Sequence, residues 1–140
     1  MKRFIISGFI LIFSAAIVSA GEERFYNALL NCSLYSESGQ INTDGMNIKF
    51  RNQILGWDNG KCTYKEYVTA AGIDSCTTCQ FSKKQINELV KVMSAYSTVQ
   101  RYSGERPNLS NMSEVQKNPV VNVWNKYLQD SSVCTIELSQ

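Results

Sequence analysis

The stretch ILGWDNGKCTYKEYVTAAGIDSCTTCQFSKKQ, Ile54 to Gln85, packs two turns, two strands and the start of a helix into one run, and the fold follows from it. Asp58-Asn59-Gly60 is a hairpin signal, because Asn and Gly tolerate the positive φ of a tight turn. Upstream the apolar period is two. Met46, Ile48 and Phe50 alternate with Asn47, Lys49 and Arg51, and Ile54 continues the series after Asn52, so one face is expected to be apolar as far as Trp57. Downstream a second strand is expected from Lys61 to about Thr69, with Cys62 and Tyr64 on one face. Ala70-Ala71-Gly72 then offers a turn, and Ile73 to Phe81 closes a three-stranded antiparallel meander.

The run ends in Ser82-Lys83-Lys84-Gln85, a capping box in which the Ser hydroxyl and the Gln side chain cover free backbone N–H groups. Ile86, Leu89, Val90, Met93 and Ser97 follow at helical spacing. Before the meander, Phe25, Ala28, Leu29 and Cys32 recur at the spacing of a short amphipathic helix from Glu22. A polar connection through Ser36, Ser38 and Gly39 follows it. Beyond the long helix, Tyr102 to Lys117 is polar, carries Gly104 and Pro107, and reads as an exposed loop. Asn118-Pro119 suits an N-cap with Pro in the first helical position, and Val120, Val123, Trp124, Tyr127 and Leu128 make the apolar face of a third helix ending near Asp130. Val133 to Leu138 is the last expected strand. Strands joined by short turns, with helices grouped outside them, predict an α+β fold: helix, three-stranded meander, two helices, strand.

The N-terminus predicts export. Lys2 and Arg3 precede an apolar run from Phe4 to Val18, which ends in Val18-Ser19-Ala20 and turns polar at Gly21. That is the layout of a cleaved secretory signal over residues 1–20, and the apolar run is short for a spanning helix. Residues 21–140 are then expected to form one small domain in the periplasm or outside the cell. The formal charge of +2 is Lys2 and Arg3 alone, so the remainder is neutral. A neutral chain offers no electrostatic footprint for nucleic acid or for anionic membranes, which leaves an unidentified protein or small molecule as the expected partner.

Histidine is absent, which removes Ser-His and Cys-His mechanisms and the commonest zinc ligand. Glu66, Asp74 and Glu137 lie in or beside expected strands with no local partner and read as solvated. Asp58-Asn59-Gly60 lacks the spacing and terminal Glu of a calcium loop. No cofactor and no metal site is expected.

Cys32, Cys62, Cys76, Cys79 and Cys134 all follow the signal, and in an exported chain they read first as a disulfide framework with one thiol left over. Cys76-Thr77-Thr78-Cys79 has thioredoxin-like spacing, and catalysis by Cys76 and Cys79 is the alternative function. The capping box, however, starts the helix only after Ser82, and no aromatic residue precedes Cys76. In an extended segment the two Cα atoms lie about 10 Å apart, beyond the roughly 7 Å limit of a disulfide, and the side chains point to opposite faces. A turn near Ala70-Ala71 would bring Cys62 opposite Cys79. This motivates the pairing Cys62–Cys79 with Cys32–Cys134, closing loops worth about 3 and about 4.7 kcal/mol. Cys76 is then free or intermolecular. Pairings that join Cys32 to Cys79, or Cys62 to Cys134, stay open.

The segments ILGWDNGKCTYKEY and CQFSKKQINELVKVM resemble small exported bacterial proteins of unknown function, in which a G-x-x-N-G-K-C hairpin precedes a C-x-F-[ST]-x-x-Q strand-to-helix junction. The resemblance spans about Ile54 to Met93. It implies a family of disulfide-stapled proteins without an activity, with Cys62 and Cys79 as the matching cysteines and Cys76 as an addition. The function expected is non-catalytic binding, through the outer face of the sheet or the Tyr102–Lys117 loop, with Trp57 and Tyr67 as exposable aromatics. A structural subunit of a surface assembly is a further alternative. Asn31, Asn108 and Asn111 head Asn-x-Ser/Thr matches that mark only sites open to glycosylation in a suitable host.

Overall fold

The computed structural model describes residues 22–43, 45–103 and 119–139. The expected signal segment, the cap at Asn118, and residues 104–117 of the expected loop lie outside them. The elements run α1 (Glu22–Asn31), β1 (Tyr35–Thr43), β2 (Met46–Asp58), β3 (Lys61–Ala70), β4 (Ile73–Phe81), α2 (Lys83–Ser103), α3 (Pro119–Leu128) and β5 (Cys134–Ser139). The five strands form one antiparallel sheet in the order β1-β2-β3-β4-β5. Helices beside an antiparallel sheet make this an α+β fold.

Two expectations about layout need correction. The polar connection after α1 is a strand, paired with β2 along its whole length from Tyr35↔Ile54 to Thr43↔Met46. Tyr-Ser-Glu-Ser-Gly-Gln lacks apolar alternation because β1 is an edge strand, where polar residues also discourage pairing with other chains. Gly39 has a packing reason: a Cβ there would lie 2.9 Å from Cζ of Phe50, whose ring lies across it. The second correction concerns Tyr102 and Ser103, expected in a loop, which form the last residues of α2.

Both hairpin turns fall at the expected places. Asn59 and Gly60 have φ of 51° and 75°, and Ala71 and Gly72 repeat that pattern at 51° and 75°. A register shift between Ile54 and Gly56, with Gly56 at φ 98°, ends the apolar alternation of β2 early. At the other junction Ser82 N–H donates to Gln85 Oε1 at 2.8 Å while Gln85 N–H donates to Ser82 Oγ at 3.2 Å, the reciprocal pair of a capping box.

The core lies between the inner face of the sheet and the helices. Phe25 and Leu29 of α1, Ile86, Leu89 and Met93 of α2, and Val120 and Trp124 of α3 are buried against Ile54, Tyr64 and Phe81. Trp124 is the hub, with ring centroids 5.3 Å from Tyr64, 5.8 Å from Phe81 and 6.3 Å from Phe25. Glu88 ties α2 to α3 at the surface, accepting from Lys126 Nζ at 2.9 Å and from the Tyr127 hydroxyl at 2.7 Å.

The bridges are Cys32–Cys62 and Cys79–Cys134, with Cα separations of 5.9 and 4.1 Å, and Cys76 is free. This corrects the expected Cys62–Cys79 and Cys32–Cys134 pairing, and neither of the other pairings left open occurs. The register explains it. The Ala71-Gly72 turn sets Cys62 opposite Phe81 and Cys79 opposite Tyr64, so the two cysteines are diagonal rather than facing. Cys79 instead faces Cys134 directly across the β4–β5 pair. Cys32, at φ 48° just past α1, is left to close on the start of β3. With sequence separations of 30 and 55 residues, each bridge contributes about 4 kcal/mol in the chain-entropy model.

Candidate functional site

Three places in the fold carry chemistry beyond packing. The first is a polar row inside the core. Asn52, Glu66 and Thr77 stand directly opposite one another across β2, β3 and β4, at 0, 1 and 2 % exposure. Half-buried Glu37 of β1 extends the row to the sheet edge. This overturns the solvated reading of Glu66. Asp74 and Glu137, read the same way, are exposed.

Glu66 Oε1 accepts the Tyr64 hydroxyl at 2.5 Å, but among the described residues Oε2 has no partner. Both side-chain polar atoms of Asn52 and Nε1 of Trp124 are also unpartnered and buried. Each such atom costs about 1–3 kcal/mol of unrecovered hydration. Burial pushes the Glu66 carboxyl up to about 8, the Tyr64 bond pulling the other way, so near neutrality it is held mostly as the neutral acid. Tyr64 is raised well above its ordinary value by its own burial and by Glu66. At the sheet edge Tyr35 donates to Glu37 at 2.8 Å and is pushed up to about 12, first by burial and then by that bond. The row can bind or release a proton. Among the described residues no group of three or more His, Cys, Asp or Glu is gathered for a metal.

The second place is the outer face of the sheet, one residue along the same strands. Arg51, Tyr67, Cys76 and Glu137 form a row there, with the Arg51 guanidinium 4.5 Å from the Tyr67 ring centroid. An open groove of about 370 Å³ runs beside it, lined by Tyr67, Thr69, Asp74, Cys76, Glu137 and Ser139 among others. Cys76 is half-buried on this outer face, whereas Cys79 is fully buried on the inner face and bonded to Cys134. The C-x-x-C spacing therefore holds no dithiol.

No family model, curated protein or solved structure matches this chain.

The third place is a corner built around the Cys32–Cys62 bridge. Leu30 and Leu34 lie two residues either side of Cys32, and Trp57 pairs with Cys62. Tyr35 pairs with Ile54, which brings Leu34 beside Leu55. The four side chains are 44, 81, 46 and 47 % exposed for Leu30, Leu34, Leu55 and Trp57. Of the four cysteines expected to bridge, Cys32 and Cys62 thus anchor this corner, and Cys79 and Cys134 join β4 to β5. Trp57 was legible as an exposable aromatic. Leu34 was not, because the polar sequence of β1 beside it carries no apolar alternation. Asn52 and Glu66 had a readable signal: Phe50, Asn52, Ile54 and Cys62, Tyr64, Glu66, Val68 share the inward parity of their strands.

Proposed function

We propose that this chain is an exported, non-catalytic binding domain that takes a protein partner on the Leu30–Leu34–Leu55–Trp57 corner. The observation that carries the reading is that four large apolar side chains stand exposed in the two stretches, 30–34 and 55–62, that the Cys32–Cys62 bridge ties together. Exposed large apolar side chains with a tryptophan among them are the composition of a binding surface. Preorganisation lowers the ordering cost of association, and the bridge supplies it. Two disulfides fit an oxidising compartment, and among the described residues no helix is long and apolar enough to cross a membrane. The thiol oxidoreductase alternative has no supporting geometry, since Cys76 and Cys79 face opposite ways.

Site-specific photocrosslinking tests the proposal in the exporting cell. A photo-reactive residue at Leu34 or at Trp57 is expected to trap one defined protein, and the same residue at exposed Lys91 on α2 is not. The purified partner should then bind the Leu34→Ser/Leu55→Ser protein at least about tenfold more weakly. Equal trapping from all three positions, or unchanged affinity in the double variant, overturns the reading.

A further inference from the structure

The outer face of the sheet is split by charge. The side chains on it, reading the parity of each strand, are exposed or half-buried without exception. Lys49 and Arg51 of β2 and Lys61 and Lys65 of β3 give this half of the face a net positive charge, the acidic residue among them being Asp58, opposite Lys61 at the hairpin end. Asp74 of β4 and Glu137 of β5 are both acidic, with no basic residue beside them on the face. Among the described residues neither Arg51 nor Glu137 is in an ion pair. A face that is positive on one half and negative on the other is complementary to itself turned over.

We propose that this face docks a second copy of the same chain, through a two-fold axis running along the strands between β3 and β4. The registers select that axis. Arg51, Tyr67, Cys76 and Glu137 occupy one level on β2, β3, β4 and β5. At about 4.8 Å between strands, Arg51 and Glu137 lie equally far from a line between β3 and β4, about 7 Å on either side. Rotation about that line sets Arg51 against the partner's Glu137, and Tyr67 against the partner's Cys76, each contact occurring twice as an isologous interface requires. The neighbouring levels agree. Thr69 meets the partner's Asp74, Lys49 meets the partner's Ser139 and Lys65 meets the partner's Thr78, so no like charges face each other. An axis across the strands would instead keep β2 against β2 and crowd basic residues together.

Four overlapping strands give on the order of 500 Å² per copy, below the roughly 800 Å² of a standard interface, so the dimer is reversible and concentration-dependent. The dimer contacts use Arg51, Tyr67, Cys76 and Glu137 and none of Leu30, Leu34, Leu55 or Trp57, and either assignment can fail without the other. Facing sheets stand about 10 Å apart, and the axis offsets the two Cys76 thiols sideways by a strand spacing, so they do not bridge. Each is covered by the partner's Tyr67 instead.

Sedimentation of the exported protein, with both bridges formed, tests this across a concentration series. The dimer is expected with a Kd on the order of 100 μM at low salt, weakening as salt screens the paired charges. Arg51→Glu and Glu137→Arg should each weaken it about tenfold or more, and the double variant Arg51→Glu/Glu137→Arg should restore it, because the charges are exchanged across the axis. Both positions are solvent-facing, and unchanged far-UV circular dichroism confirms that the variants fold. Alkylation of Cys76 should slow as concentration rises. A wild-type protein that stays monomeric throughout, or a double variant no better than the singles, overturns the proposal.

Discussion

The inner and outer faces of this sheet differ by a single step along the chain. Asn52, Glu66 and Thr77 cross the inner face of β2, β3 and β4, and Arg51, Tyr67 and Cys76 cross the outer face beside them. Both rows are polar in large part, yet only the outer one is solvated. On the outer face a charge costs little and is free to meet a partner. On the inner face the same chemistry is desolvated, and it leaves Glu66 with a hydroxyl on one oxygen and nothing on the other. Position in the pleat, not residue type, decides what each polar group does to the protein.

The largest way to test that contrast is pH. Unfolded, Glu66 returns to its ordinary value of 4.5, while folded it titrates at about 8. Below 4.5 both states hold the proton. Between 4.5 and 8 the unfolded chain releases it and the folded chain retains it, so stability falls as pH rises and levels off above 8. The expected loss is about 5 kcal/mol, read as a falling denaturant midpoint, and Glu66→Gln should flatten the profile. A wild-type profile that is already flat across that range contradicts the buried acid.

Next in size is the Cys79–Cys134 bridge, which joins the inner side of β4 to β5. Replacing both by Ala is expected to cost about 4 kcal/mol in chemical denaturation. A loss under about 1 kcal/mol would mean that β5 is held by its strand pairing alone. Smaller, and opposite in sign, is Asn52→Leu, which swaps an unpartnered amide for an apolar side chain of similar volume. Stability should rise by about 1–2 kcal/mol, and a fall would show that the amide is satisfied in solution. The smallest effect belongs to the outer face. Cys76→Ser should change stability by under about 0.5 kcal/mol, and mass analysis after alkylation should count one free thiol in the wild type and none in the variant.

Much of this architecture was readable. Asn59-Gly60 and Ala71-Gly72 announced their turns, Ser82 and Gln85 announced the start of α2, and alternation placed Cys62, Tyr64 and Phe81 on one face. β1 was hidden because an edge strand needs no apolar alternation. Its partner β2 supplies the hydrogen bonds, Tyr35 packs against the core and Gly39 makes room for the Phe50 ring. Of the candidate sites, Trp57 and Tyr67 were visible as aromatics, while the corner around Cys32–Cys62 depended on a bridge that spacing could not select.

What the sequence determined by itself is local: turn chemistry, helix capping, and the parity that sends each side chain inward or outward. Those follow from steric limits and hydrogen bonds within a few residues. Which strands became neighbours, which sulfurs met and whether Glu66 lost its water were decided by the tertiary structure. Each depends on groups far apart in the chain, and only the closed fold brings Cys32 to Cys62, Cys79 to Cys134, and Trp124 over Tyr64.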